Sequence, residues 1–350
     1  MRAKFLGCLS IFLLICFFTP SINAAIYYVD LNHPNASDEN PGTEELPWKT
    51  IQKAAQTLQA GDTVFVKAGI YNVQGTNTRD IPALNPANSG TQETPIIFKA
   101  YPGEEVTITE TGRGPLIGSY RRDYIIWDGF KIIEAAENYH ADTGPVVIWD
   151  CTGCVIKNCE IQGTYVDTVD NHDGIRGEDS TNITIKNCII HGIREKDHHH
   201  NAAGIKFYGV HFATVEHNLI YDCETGIQPK GKDGSNNKFR YNIVHNCRHA
   251  FLISYHKNNE AYQNIIYECH NGFMFGEHVN GFDVYNNIIY NCVQGISRCH
   301  QEDNIRLFNN VFVNLDAPFT IVSGNIGHIF SDYNCFYDYT RFLIDLSLIH

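Results

Sequence analysis

From about residue 154 onward one short pattern returns every 22 to 24 residues, and this period constrains the fold more than any single motif. Its clearest copies are FRYNIVHNC (239–247), YQNIIYEC (262–269) and VYNNIIYNC (284–292). Asparagines recur in register at Asn218, Asn242, Asn264, Asn287 and Asn310, and cysteines follow five residues later at Cys223, Cys247, Cys269 and Cys292. A fixed period of this length belongs to solenoids.

Leucine-rich repeats share the period but need a leucine scaffold. These units are instead short runs of Ile, Val, Tyr and Phe broken by Asn, Gly and Asp, which reads as strand and turn. The expected fold is all-β: a right-handed, single-stranded parallel β-helix with coils of about 22–29 residues. Successive coils would lie about 4.8 Å apart, so equivalent residues stack and a buried Asn amide can bond the coils on either side. The asparagine row is therefore read as structural. Twelve cysteines in a secreted chain would suggest disulfides. Stacked, parallel side chains are poorly aimed for bridging, however, so the ladder is read as free buried thiols. Cys159 and Cys188 share the asparagine register, and Cys151 and Cys154 form a CxxC with no second copy, which argues against zinc.

Residues 1–24 have a basic start (Arg2, Lys4), an apolar stretch from Phe5 to Phe18, a breaker at Pro20 and small residues at the end. This reads as a cleaved secretory signal peptide, giving a secreted chain with no membrane span in its mature form. Residues 25–350 read as a single domain, with 25–110 forming an N-terminal cap and the first coils and 111–350 the β-helix repeats. The net charge of −13 argues against nucleic acid as a partner. It would also repel an acidic polysaccharide unless the binding face carries local cations or metal. A monomer is expected.

The mature part opens with a strand, IYYVD (26–30). Then LPWKTIQKAAQTLQAGD (46–62) places Ile51, Ala54, Ala55 and Leu58 at helical spacing before Gly61, a short capping α-helix whose apolar face closes the end of the solenoid core. TVFVKAGIY (63–71) and TPIIFKAYPGEEVTI (94–108) add strands. With these segments followed by repeated NxI strands, the chain resembles the right-handed parallel β-helix proteins of the pectate-lyase-like superfamily. Its opening is most similar to polysaccharide lyases of family nine and their uncharacterised relatives.

Each coil also holds a strand entered by a small or polar residue and then Ile or Phe: DGIRGE (173–178), AGIKFYG (203–209), TGIQPKG (225–231), AFLISYH (250–256), GFMFGEH (272–278) and GISRCH (295–300). If the Ile or Phe points inward, alternation sends Arg176, Lys206 and Gln228 outward in one row, and Glu178, Tyr208, Lys230 and Ser254 in the next. His256, Glu277, His278 and His300 follow at the far edge. Aligned cations flanked by an aromatic ring suit a uronate chain, so Tyr208, Glu178, His256, His278 and His300 are the expected substrate-binding residues.

The coils feeding this stripe are the longest, about 29 residues each for 154–182 and 183–212, and their extra length is polar. Insertions on one side of a solenoid commonly build its binding site. Asp167, Asp170 and Asp173 in one insert would suit calcium, whereas the histidines of REKDHHHN (194–201) would suit a transition metal. Lyases of this family remove the C5 proton of a uronate with a Lys or Arg as base, and neutralise the carboxylate with calcium or a cationic side chain. The resemblance therefore implies a lyase, with Lys206 as the first candidate base, Lys230 the second and Arg176 beside them. The family's compact aspartate cluster finds no residue-by-residue match here. A C5 epimerase, a β-helix glycoside hydrolase with Glu178, Asp179 or Glu277 as acids, and a non-catalytic carbohydrate-binding or surface solenoid are the competing readings.

Overall fold

The computed structural model describes residues 24–135, 142–166, 171–196, 201–298, 303–321 and 329–341. The leader through residue 23, Asp167, Asp170, the histidine run 198–200 and His300 lie outside the described residues. Among the described residues, three parallel sheets of 12, 11 and nine strands run the length of the solenoid, with a two-stranded pair beside them. One coil visits each sheet in turn: Val155–Lys157, then Glu160–Gln162, then Asp173–Glu178. The fold is an all-β parallel β-helix.

Successive coils pair in strict register, stepping from Val155 to Thr184 to Thr214 and then to Lys238, Glu260 and Asp283. The first two of these steps are the long ones. Inward residues of the nine-stranded sheet, Ile175, Ile205, Ile227, Phe251, Phe273 and Ile296, stack into one continuous core row, each at most 1% exposed.

The corners explain the asparagine row. One residue per coil takes the left-handed conformation (His217, Tyr241, Gln263, Asn286, Asn309 and Tyr333, φ 54–57°) and turns the chain from the first sheet into the second. The Asn that follows points into the core. Its carboxamide donates to Oδ1 of the next Asn at 2.9–3.1 Å and to a backbone carbonyl, so Asn218, Asn242, Asn264, Asn287, Asn310 and Asn334 form one bonded file. A buried corner has no water to satisfy its amides, and the file does so instead. Cys223, Cys247, Cys269 and Cys292 follow left-handed residues at the next corner and are buried free thiols.

The helix is shorter than its apolar spacing suggests. It spans Ile51–Thr57, with Thr50 as N-cap accepting from the Lys53 N–H, and Leu58 is already extended though buried. Ile51, Ala54 and Ala55 face the core.

Candidate active site

The outer face of the nine-stranded sheet holds the charged residues. Arg176 lies opposite Lys206 and Lys206 opposite Gln228, while Glu178 lies opposite Tyr208 and Lys230 bridges to Ser254. Each strand here starts with a small residue for a steric reason. A Cβ on Gly174 would stand 2.6 Å from the Gly204 carbonyl oxygen, and one on Gly204 2.8 Å from that of Gly226, so only glycine lets these coils approach.

Lys206 has no exposed surface. Its ammonium pairs with Asp173 Oδ1 at 2.7 Å, donates to Asn171 Oδ1 at 3.3 Å and donates to the Asn201 carbonyl. Burial pulls its pKa down to about 8 against the opposing pull of Asp173, and the positive charges of Lys230 and Arg176 lower it further. Two hydrogen-bond acceptors and one carboxylate at ion-pair distance surround the amine, so it rests as a paired cation held with weakened proton affinity.

Arg176, 3% exposed, donates from Nη1 to Asp173 Oδ2 and from Nε and Nη2 to Glu178 Oε2, all at 3.0 Å. Its guanidinium lies 4.6 Å from the Tyr208 ring centre. Lys232 closes the network with bonds to Glu178 Oε1 at 2.5 Å and Asp179 Oδ2 at 2.8 Å. Lys230 is half-buried and donates to Asn201 Oδ1 at 3.0 Å, and burial lowers its pKa. Trp149 sits on the preceding coil opposite Glu178, with Arg79, Arg176 and Lys232 within 6 Å of its ring centre.

Several expected residues take other places. Glu178 is buried inside ion pairs with Arg176 and Lys232 and not offered to solvent. His256 is inside the core: Tyr255 adopts φ 57°, the chain turns there, and the in/out alternation that carried Ser254 outward breaks at the next residue. The imidazole packs so closely on Gly234 that a Cβ there would stand 2.3 Å from Cε1. His278 is exposed in a turn, against the Tyr255 ring, three rungs or about 14 Å along the sheet from Lys206. Tyr208 does join the cluster, its hydroxyl donating to Asn171 Oδ1 at 3.4 Å, and burial raises its pKa.

Sequence reasoning missed Asn171, Asn201, Trp149 and Lys232. The first two carried a signal: NHDGI (171–175) and NAAGI (201–205) are the same five-residue unit in consecutive coils, and both asparagines reach over the strand face that follows. Beneath the site, His172 Nε2 lies 3.1 Å from the Thr164 carbonyl and 3.2 Å from Glu134. Burial lowers the His172 pKa to about 4 and raises that of Glu134 well above the usual carboxylate range, with Glu110 and Asp173 adding to the latter.

A family profile described as "Pel9A-like, right handed beta helix region" matches residues 27–323. The uncharacterized protein YwoF of Bacillus subtilis is 37% identical over 76 residues, 22% of this chain and 14% of that protein. Pectate lyase PEL9 of Emericella nidulans is 36% identical over 89 residues, 25% of this chain and 19% of that protein. The matched stretches thus span less than a fifth of either relative. Among solved structures, a polygalacturonase from Erwinia carotovora superposes with a TM-score of 0.57 at 13% identity, over 89% of this chain and 95% of that one, a likeness of fold alone.

Proposed function

The chain belongs to the Pel9A-like right-handed β-helix family, and from that premise we propose that it is an exported lyase cleaving an acidic, uronate-containing polysaccharide by β-elimination, with Lys206 as the base. The observation that carries this reading is a lysine amine sunk into a cluster of cations, its proton affinity low enough for a useful fraction of free base near neutral pH. Lys206 takes the C5 proton, the C5–H electron pair becomes the C4=C5 bond, and the C4–O4 bond breaks. The departing oxygen takes its proton from water. Asp173 and Asn171 hold the amine in place beforehand, and an incoming sugar must displace one of its acceptors before the lone pair is free. Arg176 touches Asp173 and Glu178 and serves as a positioning residue, while Tyr208 offers a ring edge and a hydroxyl to the sugar. Export fits this role, and no described helix is long and apolar enough to cross a membrane.

Hydrolysis is less well supported, because Asp173 and Glu178 grip the same guanidinium and neither is free to act as acid or base. A non-catalytic carbohydrate-binding solenoid is favoured by one observation, the complete burial of the Lys206 amine. Ultraviolet absorbance of unsaturated uronate products separates the readings. The lyase reading expects a rise on pectate, alginate or a glycosaminoglycan, with the rate climbing about tenfold per pH unit until it levels near pH 8. No rise on any of the three, with reducing ends also constant, leaves only binding.

A further inference from the structure

We propose that this site meets the substrate carboxylate with the Lys230 ammonium and requires no calcium at Asp173, an inference that rests on the uronate-lyase reading above. Calcium takes six to eight oxygens and draws them chiefly from carboxylates free to turn toward it. The two acids nearest Lys206 and Arg176 already have both oxygens on basic side chains. Asp173, with no exposed surface, has one oxygen on Lys206 at 2.7 Å and the other on Arg176 at 3.0 Å. Glu178 has one on Lys232 at 2.5 Å and the other on Arg176 at 3.0 Å. Asp142 accepts from the Asn171 carboxamide at 2.6 Å. Among the described residues no three His, Cys, Asp or Glu side chains stand close enough to hold a metal ion. A divalent cation at Asp173 would displace two basic side chains and then sit beside them.

Lys230 differs from its neighbours. Lys206, Arg176 and Lys232 each touch a carboxylate, whereas the Lys230 amine is bonded to the neutral Asn201 carboxamide at 3.0 Å and, among the described residues, pairs with no acid. Asp173, and after it Glu195 and Asp142, act on it only through space. It is half-buried, one coil beyond Lys206 and next to Tyr208 across the coils, so a carboxylate that replaced the Asn201 contact would gain a charge-assisted bond. That leaves C5 of the same sugar on the side of Lys206.

The test uses the mature chain and a Lys206→Met variant that cannot turn over. Calcium is titrated against both, with the melting midpoint and binding heat as readouts. Oligomers of galacturonate, of mannuronate-guluronate and of a glucuronate-containing glycosaminoglycan are then titrated into Lys206→Met with chelator present. The expected result is no calcium-dependent shift, binding of one oligouronate unchanged by chelator, at least tenfold weaker binding when Lys230→Ala is added, and recovery with Lys230→Arg. A calcium-dependent rise in midpoint together with chelator-sensitive binding overturns the inference and leaves the lyase reading standing. So does binding that ignores Lys230→Ala. Failure of every oligouronate to bind sinks both.

Discussion

Two stretches of the same sheet row differ sharply in character. In three consecutive coils its outward positions are Arg176, Lys206 and Gln228, and in the next two they are Leu252 and Met274. The inward neighbours remain aliphatic or aromatic throughout. What changes is the length of the coil. The register steps that include Asn171, Glu195 and Asn201 are 29 and 30 residues, and those of the later coils 22 to 24, so among the described residues it is the early coils that carry chain reaching over the sheet to supply acceptors. The backbone ladder holds the fold along its whole length, and the charged site depends on the inserts of two coils.

The largest effect expected from breaking this division is at Lys206. Lys206→Ala should lower the elimination rate about 10²- to 10⁴-fold, measured as unsaturated product formed per enzyme. It should also destabilise the chain by roughly 3–5 kcal/mol, because Asp173 loses its nearest cation while still buried. Pairing the change with Asp173→Asn should restore most of that stability and none of the activity. A single variant that loses both properties would not separate base from scaffold, whereas the double variant does.

The opposite half gives the next largest effect. Asn264→Ala removes donors to the Phe239 carbonyl and Asn287 Oδ1 and an acceptor for Asn242, all at 2.9–3.1 Å and buried. Orphaned interior groups of this kind cost about 3 kcal/mol or more together. Denaturant unfolding should show that loss with the activity of the remaining folded fraction unchanged. A fall in specific activity without loss of stability would mean that the ladder and the site are not separable.

These two halves were unequally legible in the sequence. The ladder was plain, because identical side chains repeat at the coil period and only a stacked solenoid gives such repetition a reason. The outward rows Arg176–Lys206–Gln228 and Glu178–Tyr208 were also readable, since alternation about an inward Ile fixes them. His256 was misplaced because alternation holds only within a strand, and nothing in the residue type of Tyr255 announces a left-handed corner. Burial was hidden as well. Arg176 and Lys206 sit on an outer face yet are covered, and period counting cannot show that Asn171 and Asn201 reach over it. The acid on each cation was equally invisible, which is why Glu178 looked available to a sugar.

His256 tests the corner itself through pH. With no exposed surface and His211 nearby, its pKa is pushed down from 6.5 to about 3, while a backbone contact at Phe207 and the charge of Asp233 oppose this only in part. Below pH 6.5 the unfolded chain takes a proton that the folded chain refuses until about pH 3. The stability this residue confers is therefore complete above pH 6.5 and is lost as pH falls, by about 2 kcal/mol at pH 5. His256→Phe keeps a ring of similar size and should remove that share of the acid sensitivity, read as the difference between the two chains' unfolding free energies at pH 7 and pH 5. Equal slopes would place the imidazole at the surface, where the unbroken alternation would have put it.

The smallest expected effect transplants a cation from one half to the other. Met274 occupies the same outward row as Lys206, three coils on, half-buried and without an insert above it. Met274→Lys should change stability by less than about 1 kcal/mol, because the long side chain can run along the sheet and keep its amine in water. The introduced amine should titrate near the ordinary lysine value, followed by the shift of its ε-carbon protons. Added to Lys206→Ala, it should restore no elimination. A normal amine in the right row of the right sheet would then be shown insufficient, which locates the chemistry in the cover supplied by Asn171 and Asn201, in the counter-charge of Asp173 and in the like charge of Arg176. A depressed pKa for the introduced amine would instead mean that the sheet face alone tunes it.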